Sequence, residues 1–350
     1  MDRNSDKGEG HVPLIEGGAT EPVRRVDGCV VIGRNEGARL GLCLRSVGGN
    51  AETTVYVDSG STDDSVALAR QMGVSAVELD AGKPFTAARG RNAGLEMLLS
   101  LRPDAETVQF VDGDCELLPD WLESASRTLE ERPDVAAVYG RLRERHPEKS
   151  IYNRLCDIEW STPPGETQSC GGIAMMRVRP VLDCGGYNEG LIAGEEPDLC
   201  FRLRGKGWKV LCIDADMGWH DAAMTTFRQW WRRSVRTGHA YAECSRRLGG
   251  TPERFWVHET RSIVVWGGLV PAAALLLAGP TALWSLWLLA AYPLLAARVY
   301  RTMRRRHFTP GDSGLYALCC TLGKFPQAWG VLTCTAGAMI GRRRRLIEYK

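Results

Sequence analysis

Val108-Gln109-Phe110-Val111-Asp112-Gly113-Asp114-Cys115 is the stretch whose reading decides the fold. An apolar run that stops abruptly in two acids flanking a glycine reads as a buried strand. Such a strand delivers its carboxylates to the carboxyl edge of a sheet, where open α/β folds bind ligands. Asp112 and Asp114 are hard oxygen ligands suited to Mg²⁺ or Mn²⁺, ions that complete their shells with substrate phosphates. Gly113 lets a bulky group approach the backbone. Asp-Gly is also ordinary turn chemistry, so the flanking chain has to decide between a site and a turn.

Toward the N-terminus the chain alternates. Cys29 to Gly33 reads as a strand, Arg34-Asn35-Glu36 as its loop, and Leu40, Leu44 and Val47 fall at helical spacing. Thr54 to Asp58 repeats the design, with a loop from Ser59 to Asp64 and a helix from Ser65. Ser75 to Leu79 is a third short strand and Ala87 to Leu101 a helix. This alternation predicts an α/β fold with a mostly parallel sheet and right-handed crossovers. Asp58, at a strand's carboxyl end, is placed either to build its loop or to accept hydrogen bonds from a ribose or a pyrimidine. Arg89, Arg91 and Asn92 open a helix, where guanidinium donors and free amides suit a phosphate; a solvated basic face is the rival reading.

Toward the C-terminus, a helix to about Arg132 is followed by strands at Val135 to Tyr139 and Ser169 to Met176. Gly194-Glu195-Glu196-Pro197-Asp198 places three acids at the entrance of an apolar helix. They serve its dipole, or one of them is a catalytic base. Proline is favoured at the first helical position, so the helix is expected to begin at Pro197 with Glu196 at the cap and Asp198 reaching Arg202. Trp208 to Ile213 is a further strand, with His220 after it. Phe227-Arg228-Gln229-Trp230-Trp231-Arg232-Arg233 joins aromatic bulk to arginines on a helix that lines a channel or lies at a membrane surface.

A chain of 350 residues suits one catalytic-sized domain with an appendage. The net charge of +2 conceals an asymmetry: from Thr251 onward thirteen Lys and Arg face four Asp and Glu. Twelve scattered cysteines without a CxxC pair fit a reducing compartment. Residues 1–27 lack an apolar core of the signal-peptide kind and read as a disordered tail. No charged residue occurs from Ser262 to Ala297. Broken by Gly279-Pro280, that length divides into two runs of about seventeen, the lower limit for a transmembrane helix. Arginines on both flanks favour a hairpin over about 262–299 with both ends cytoplasmic. The apolar stretch 314–341 has Lys324, Pro326 and Gln327 at its middle and reads as interfacial or re-entrant.

The pieces resemble a known family. Asn35-Glu36, Asp58-Ser59-Gly60-Ser61-Thr62-Asp63, Arg91-Asn92-Ala93-Gly94, Asp112-Gly113-Asp114, Gly185-Gly186-Tyr187-Asn188-Glu189 and Gly194-Glu195-Glu196-Pro197-Asp198-Leu199 occur in the order seen in family 2 glycosyltransferases of the GT-A fold. The resemblance covers about 30–248. It implies a Rossmann-like GT-A catalytic domain over 28–250, followed by transmembrane or interfacial helices over 251–350. The implied activity is metal-dependent, inverting transfer of a sugar from a nucleoside-diphosphate sugar, UDP- or GDP-linked, to a lipid-linked or glycan acceptor. The enzyme would sit at the cytoplasmic membrane with its catalytic domain facing the cytoplasm.

By the same resemblance, Asp58 lies near the base, and Asn35, Glu36, Arg91 and Asn92 bind donor. Asp112 and Asp114 hold metal and donor, with His220 as an additional metal or phosphate contact. Glu196 stands where the family has its general-base Asp; Glu195 supports it, or is itself the base. Gln229 and Arg232 resemble part of the Gln-x-x-Arg-Trp element of processive members, but Arg233 replaces the final Trp. No nucleic-acid partner is expected. The competing readings are a nucleotidyltransferase, whose Gly-rich basic first loop is missing from Gly33-Arg34-Asn35-Glu36, and a sugar-nucleotide-binding scaffold without catalysis.

Overall fold

The structure is a computed structural model, and it describes residues 26–47 and 51–340. The expected N-terminal tail lies outside these residues except for Val26 and Asp27, as do Arg342 to Arg345.

The first half runs β1 (Gly28–Gly33), α1 (Ala38–Ser46), β2 (Thr54–Asp58), α2 (Ser65–Gln71), β3 (Ser75–Glu78), α3 (Ala87–Leu101), β4 (Thr107–Asp112) and β5 (Cys115–Leu117). It continues with α4 (Trp121–Glu131), β6 (Val135–Glu144), α5 (Ile151–Glu159), β7 (Gly165–Thr167), β8 (Ala174–Arg177), α6 (Val178–Asp183), α7 (Glu195–Gly205) and β9 (Lys209–His220). The strands form one curled sheet in the order β3-β2-β1-β4-β8-β6-β9-β5, with β7 on β9. β3, β2, β1 and β4 are parallel, as expected. Beyond β4 the sheet is mixed: β6 and β9 are parallel, but β8 is antiparallel to β4 and β6, and β5 and β7 are antiparallel to β9. The connections differ there: α5 and β7 lie between β6 and β8, and two helices, α6 and α7, lie between β8 and β9, in place of the single crossover helix that returns a strand parallel.

The core lies on both faces of this sheet, with Val30, Val31, Val55, Val57, Val108, Phe110 and Met175 fully buried. β4 carries a polar residue into it. Gln109 is buried, and it accepts from the Trp121 indole at 2.9 Å and donates to the Phe110 carbonyl at 2.7 Å. Tyr187 meets Phe110 edge-on at 5.3 Å, which brings the 185–189 turn against the strand that ends in Asp112.

The second half is helical: α8 (Phe227–Leu248), α9 (Val257–Val264), a π-turn at 265–269, α10 (Val270–Leu276), a 3₁₀ segment at 284–290, α11 (Ala291–Arg305), α12 (Pro310–Leu322) and α13 (Lys324–Met339). One expectation is corrected here. Among the described residues no helix is long and apolar enough to cross a membrane. The uncharged stretch is divided instead into short helices around a turn whose Ala282 and Leu283 have positive φ. The stretch read as interfacial or re-entrant holds two helices, α12 and α13, that meet at Gly323. α13 packs on α8, and a Cβ at Gly238 would strike the Gln327 carbonyl while one at Gly330 would strike that of Val235. α12 is tied to α5 by a bidentate Arg154–Asp312 pair, 2.8 Å at each nitrogen.

Candidate active site

The carboxyl ends of β1 and β4, the start of α7 and one face of α8 enclose a cavity of about 830 Å³, within the range that holds small ligands. At its floor is a charge cluster. Arg91 enters from the first turns of α3 and is buried. Its guanidinium lies 3.0 Å from Asp112, 3.2 Å from Glu195 and 3.0 Å from Glu196. Burial alone would lower the Arg91 pKa, but Glu196, Asp112, the Tyr187 phenol and Glu195 hold it well above its ordinary value. This cation, on the cavity lining, thus pairs with three carboxylates.

Glu196 lines the cavity beside Arg91. Burial, and then the negative charge of Glu195, push its carboxyl up to about 7, while Arg91 pulls in the other direction. A carboxylate poised near neutrality is what general-base work requires. α7 begins two residues earlier than expected: Gly194, in the left-handed region, is the cap, and Glu195 and Glu196 lie in the first turn. Pro197 takes the third helical position, where its missing N–H costs nothing. Asp198 pairs with Arg202 at 2.8 Å and faces away from the cluster. Gly172 covers the group, and a Cβ there would meet Asp112 Oδ2 at 2.9 Å, Glu196 Oε1 at 3.2 Å and the Arg91 guanidinium.

Asp114, buried beside Asp112, lies with its carboxylate 3.5 Å from His220 Nε2 at the end of β9. Cys115 completes a group whose possible ligand atoms lie within 4.8 Å of one another. Burial and then the Asp112 charge push the Cys115 thiol well up, so it resists becoming the thiolate a soft metal wants. The donors offered are then a carboxylate and an imidazole whose other nitrogen, Nδ1, is buried without a hydrogen bond. This set fits a divalent cation such as Mg²⁺ or Mn²⁺ completed by substrate oxygens. Asp112, expected in the same group, stands apart against Arg91.

The other expected donor-binding residues have partners within the chain. Asp58 accepts from the Tyr56 hydroxyl, the Ser61 hydroxyl and the amides of Gly60 and Ser61, so it builds its loop and leaves Ser59 to line the cavity. Asn35 does line the cavity, and it accepts from the Thr62 amide at 2.7 Å, tying the first two loops together. Glu36 also lines it and pairs with Arg39 at 2.8 Å. Asn92 clamps the 185–189 turn, accepting from the Tyr187 amide and donating to its carbonyl, both at 2.8 Å. Gln229 closes the capping box that starts α8. Arg232 is exposed on the far side.

The α8 residues that face the cavity are Arg233, Arg236, Thr237 and Ala240. Spacings of three and four residues define one helix face, a signal present in the sequence but obscured by matching the Gln-x-x-Arg pattern. Arg233 also pairs with Glu159 at 2.6 Å. A smaller annex of about 260 Å³ shares Asp112, Gly171, His220 and Arg233 with the main cavity and adds Gly172, Trp160 and Tyr139. Trp160 meets the His220 ring at 4.5 Å; nothing in its sequence surroundings marks it.

Fold and site define a mixed α/β, GT-A-like glycosyltransferase fold with C-terminal helices. Residues 29–181, from β1 into α6, match the family model described as Glycosyl transferase family 2. That span contains Asp58, Arg91, Asp112 and Asp114; α7 and His220 lie beyond it. Among solved structures, the chain is similar to the mannosyltransferase PcManGT from Pyrobaculum calidifontis in complex with GDP-Man and Mn²⁺. The identity is 18%, covering 91% of this chain and 89% of that one, with a TM-score of 0.56. It is also similar to S. aureus TarS 1-349 in complex with UDP-GlcNAc, at 13% identity over 91% and 93% of the two chains, with a TM-score of 0.51.

Proposed function

We propose that the protein is an inverting glycosyltransferase that moves a sugar from a UDP- or GDP-sugar to a lipid-linked or glycan acceptor at the cytoplasmic face of a membrane. The catalytic part is 28–250, and the 251–350 region holds it at the membrane. The observation that carries the reading is Glu196, with its pKa near 7, on the wall of a cavity that also holds Asp114 and His220.

In this reading Glu196 takes the proton of the acceptor hydroxyl. The acceptor oxygen forms its bond to the anomeric carbon from the face opposite the departing diphosphate, and the carbon–phosphate-oxygen bond breaks with its electron pair on that oxygen. Glu195 and Asp112, both held by Arg91, fix the position of Glu196. Asp114 and His220 would hold a divalent cation, which supplies charge neutralisation to the diphosphate. Arg233 and Arg236 supply fixed positive charge at the same cavity, where preorganised donors act most strongly.

The test is a donor screen that follows release of nucleoside diphosphate with Mg²⁺ or Mn²⁺. Release of UDP or GDP that needs the cation and is lost in Asp114→Ala supports transfer. Release of pyrophosphate would mean nucleotidyl transfer, and donor binding without any release would mean a non-catalytic scaffold.

A further inference from the structure

Residues 262–297 carry no charge, yet only Ile263, Ala274 and Ser285 among them are buried. The chain thus exposes an apolar edge far larger than a soluble surface usually tolerates. It is densest around the turn between α10 and α11, where Leu276 is 78% exposed, Trp284 73% and Trp287 72%. This turn is built, not frayed. The Ser285 hydroxyl donates to the Ala274 carbonyl at 2.7 Å, the Leu283 amide to that of Ala278 at 2.7 Å, and the Tyr292 hydroxyl to that of Trp266. One exposed stripe of α11 then changes character along its length, from Leu294 to Arg298, Arg301 and Arg305. At 1.5 Å per residue these arginines lie about 6 to 16 Å along the axis from Leu294.

We propose that this edge is a monotopic anchor for an anionic lipid bilayer: the 275–289 turn enters the acyl boundary, and Arg298, Arg301 and Arg305 rest on lipid phosphates. An apolar end followed within one helix by cations reproduces the depth profile of a leaflet, apolar inside and anionic at the surface. Tryptophans at the apolar end match the preference of indole for the headgroup boundary. Charge supports the same partner, since 254–306 holds seven arginines and one acid, Glu259. The anchor is coupled to the site. The 265–269 turn packs on α13 at Gly267, and α13 packs on α8 at Gly238, the helix whose Arg233 and Arg236 line the cavity. The inference specifies the membrane-face part of the proposed function, but its test requires no turnover, so either can fail alone.

The test is co-sedimentation of the full chain with vesicles of phosphatidylcholine alone or mixed with phosphatidylglycerol. Wild type is expected on the mixed vesicles. The triple change Leu276→Glu, Trp284→Glu, Trp287→Glu should lower partitioning by at least roughly tenfold with an unchanged circular-dichroism spectrum. The change Arg298→Gln, Arg301→Gln, Arg305→Gln should remove the preference for phosphatidylglycerol. Should the apolar variant fold poorly, quenching of wild-type tryptophan fluorescence by brominated lipid, reduced in Trp284→Phe, Trp287→Phe, carries the same prediction. Wild type left in the supernatant with both vesicles overturns the proposal, as does undiminished binding of a folded apolar variant. So does a dimer, seen by light scattering, that vesicles leave intact and the apolar variant splits; that edge would be an interface between copies of this chain.

Discussion

At Glu196 the balance of burial against a neighbouring guanidinium decides both reactivity and stability. Activity should rise with pH through about 7 as the carboxylate forms. Glu196→Gln should keep donor affinity but lose turnover by roughly 10²–10⁴-fold, with no such rise. The stability sign is opposite. A carboxyl whose folded pKa is raised from 4.5 to about 7 stabilises the fold fully below its unfolded value and loses that contribution as pH climbs through the folded one. Glu196→Gln should therefore be more stable than wild type at pH 8, by up to roughly 3 kcal/mol, and converge with it below the unfolded value, at about pH 4. Thermal unfolding at the two values measures this; a variant less stable at pH 8 would mean that Glu196 is ionised at little cost. Gly172→Ala should impair turnover as well, since its methyl would intrude on the Arg91 cluster, and steady-state kinetics on the folded variant checks it.

Among the elements, the sequence was most legible where one local rule dominates. β1, β2, α3 and β4 follow from apolar runs and turn residues, and their ends place Asp112 and Asp114 at the sheet edge. What could not be read locally were the partners of side chains. Asn92 meets Tyr187 across 95 positions of sequence, and Arg91 joins residues of β4 and α7, partners that only the folded sheet brings together. The start of α7 was misplaced because Pro197 is tolerated anywhere in a first turn, and the left-handed Gly194 fixes the actual start. α8 begins in a capping box between Thr226 and Gln229. Thr226→Ala should cost about 1 kcal/mol, visible as a lower denaturant midpoint. Gly330→Leu should cost more, because α13 would be forced off α8.

Over the whole molecule, the parallel half of the sheet carries the loops that line the cavity, the mixed half carries His220, and α8 links both to the C-terminal helices. Hydropathy and Gly279-Pro280 showed a turn with two apolar arms, but not that each arm is itself broken, one by the π-turn at 265–269 and the other by the 3₁₀ segment at 284–290. The central claim is cation-assisted sugar transfer with Glu196 as base, and single-turnover transfer from a donor identified by the screen tests it most directly. Wild type, Glu196→Gln and Asp114→Ala are compared, with the anomeric configuration of the product read by NMR. The account predicts an inverted product from wild type, loss of the chemical step with donor binding kept in Glu196→Gln, and loss of cation-dependent donor binding in Asp114→Ala. A product of retained configuration, or full turnover by Glu196→Gln, would contradict it.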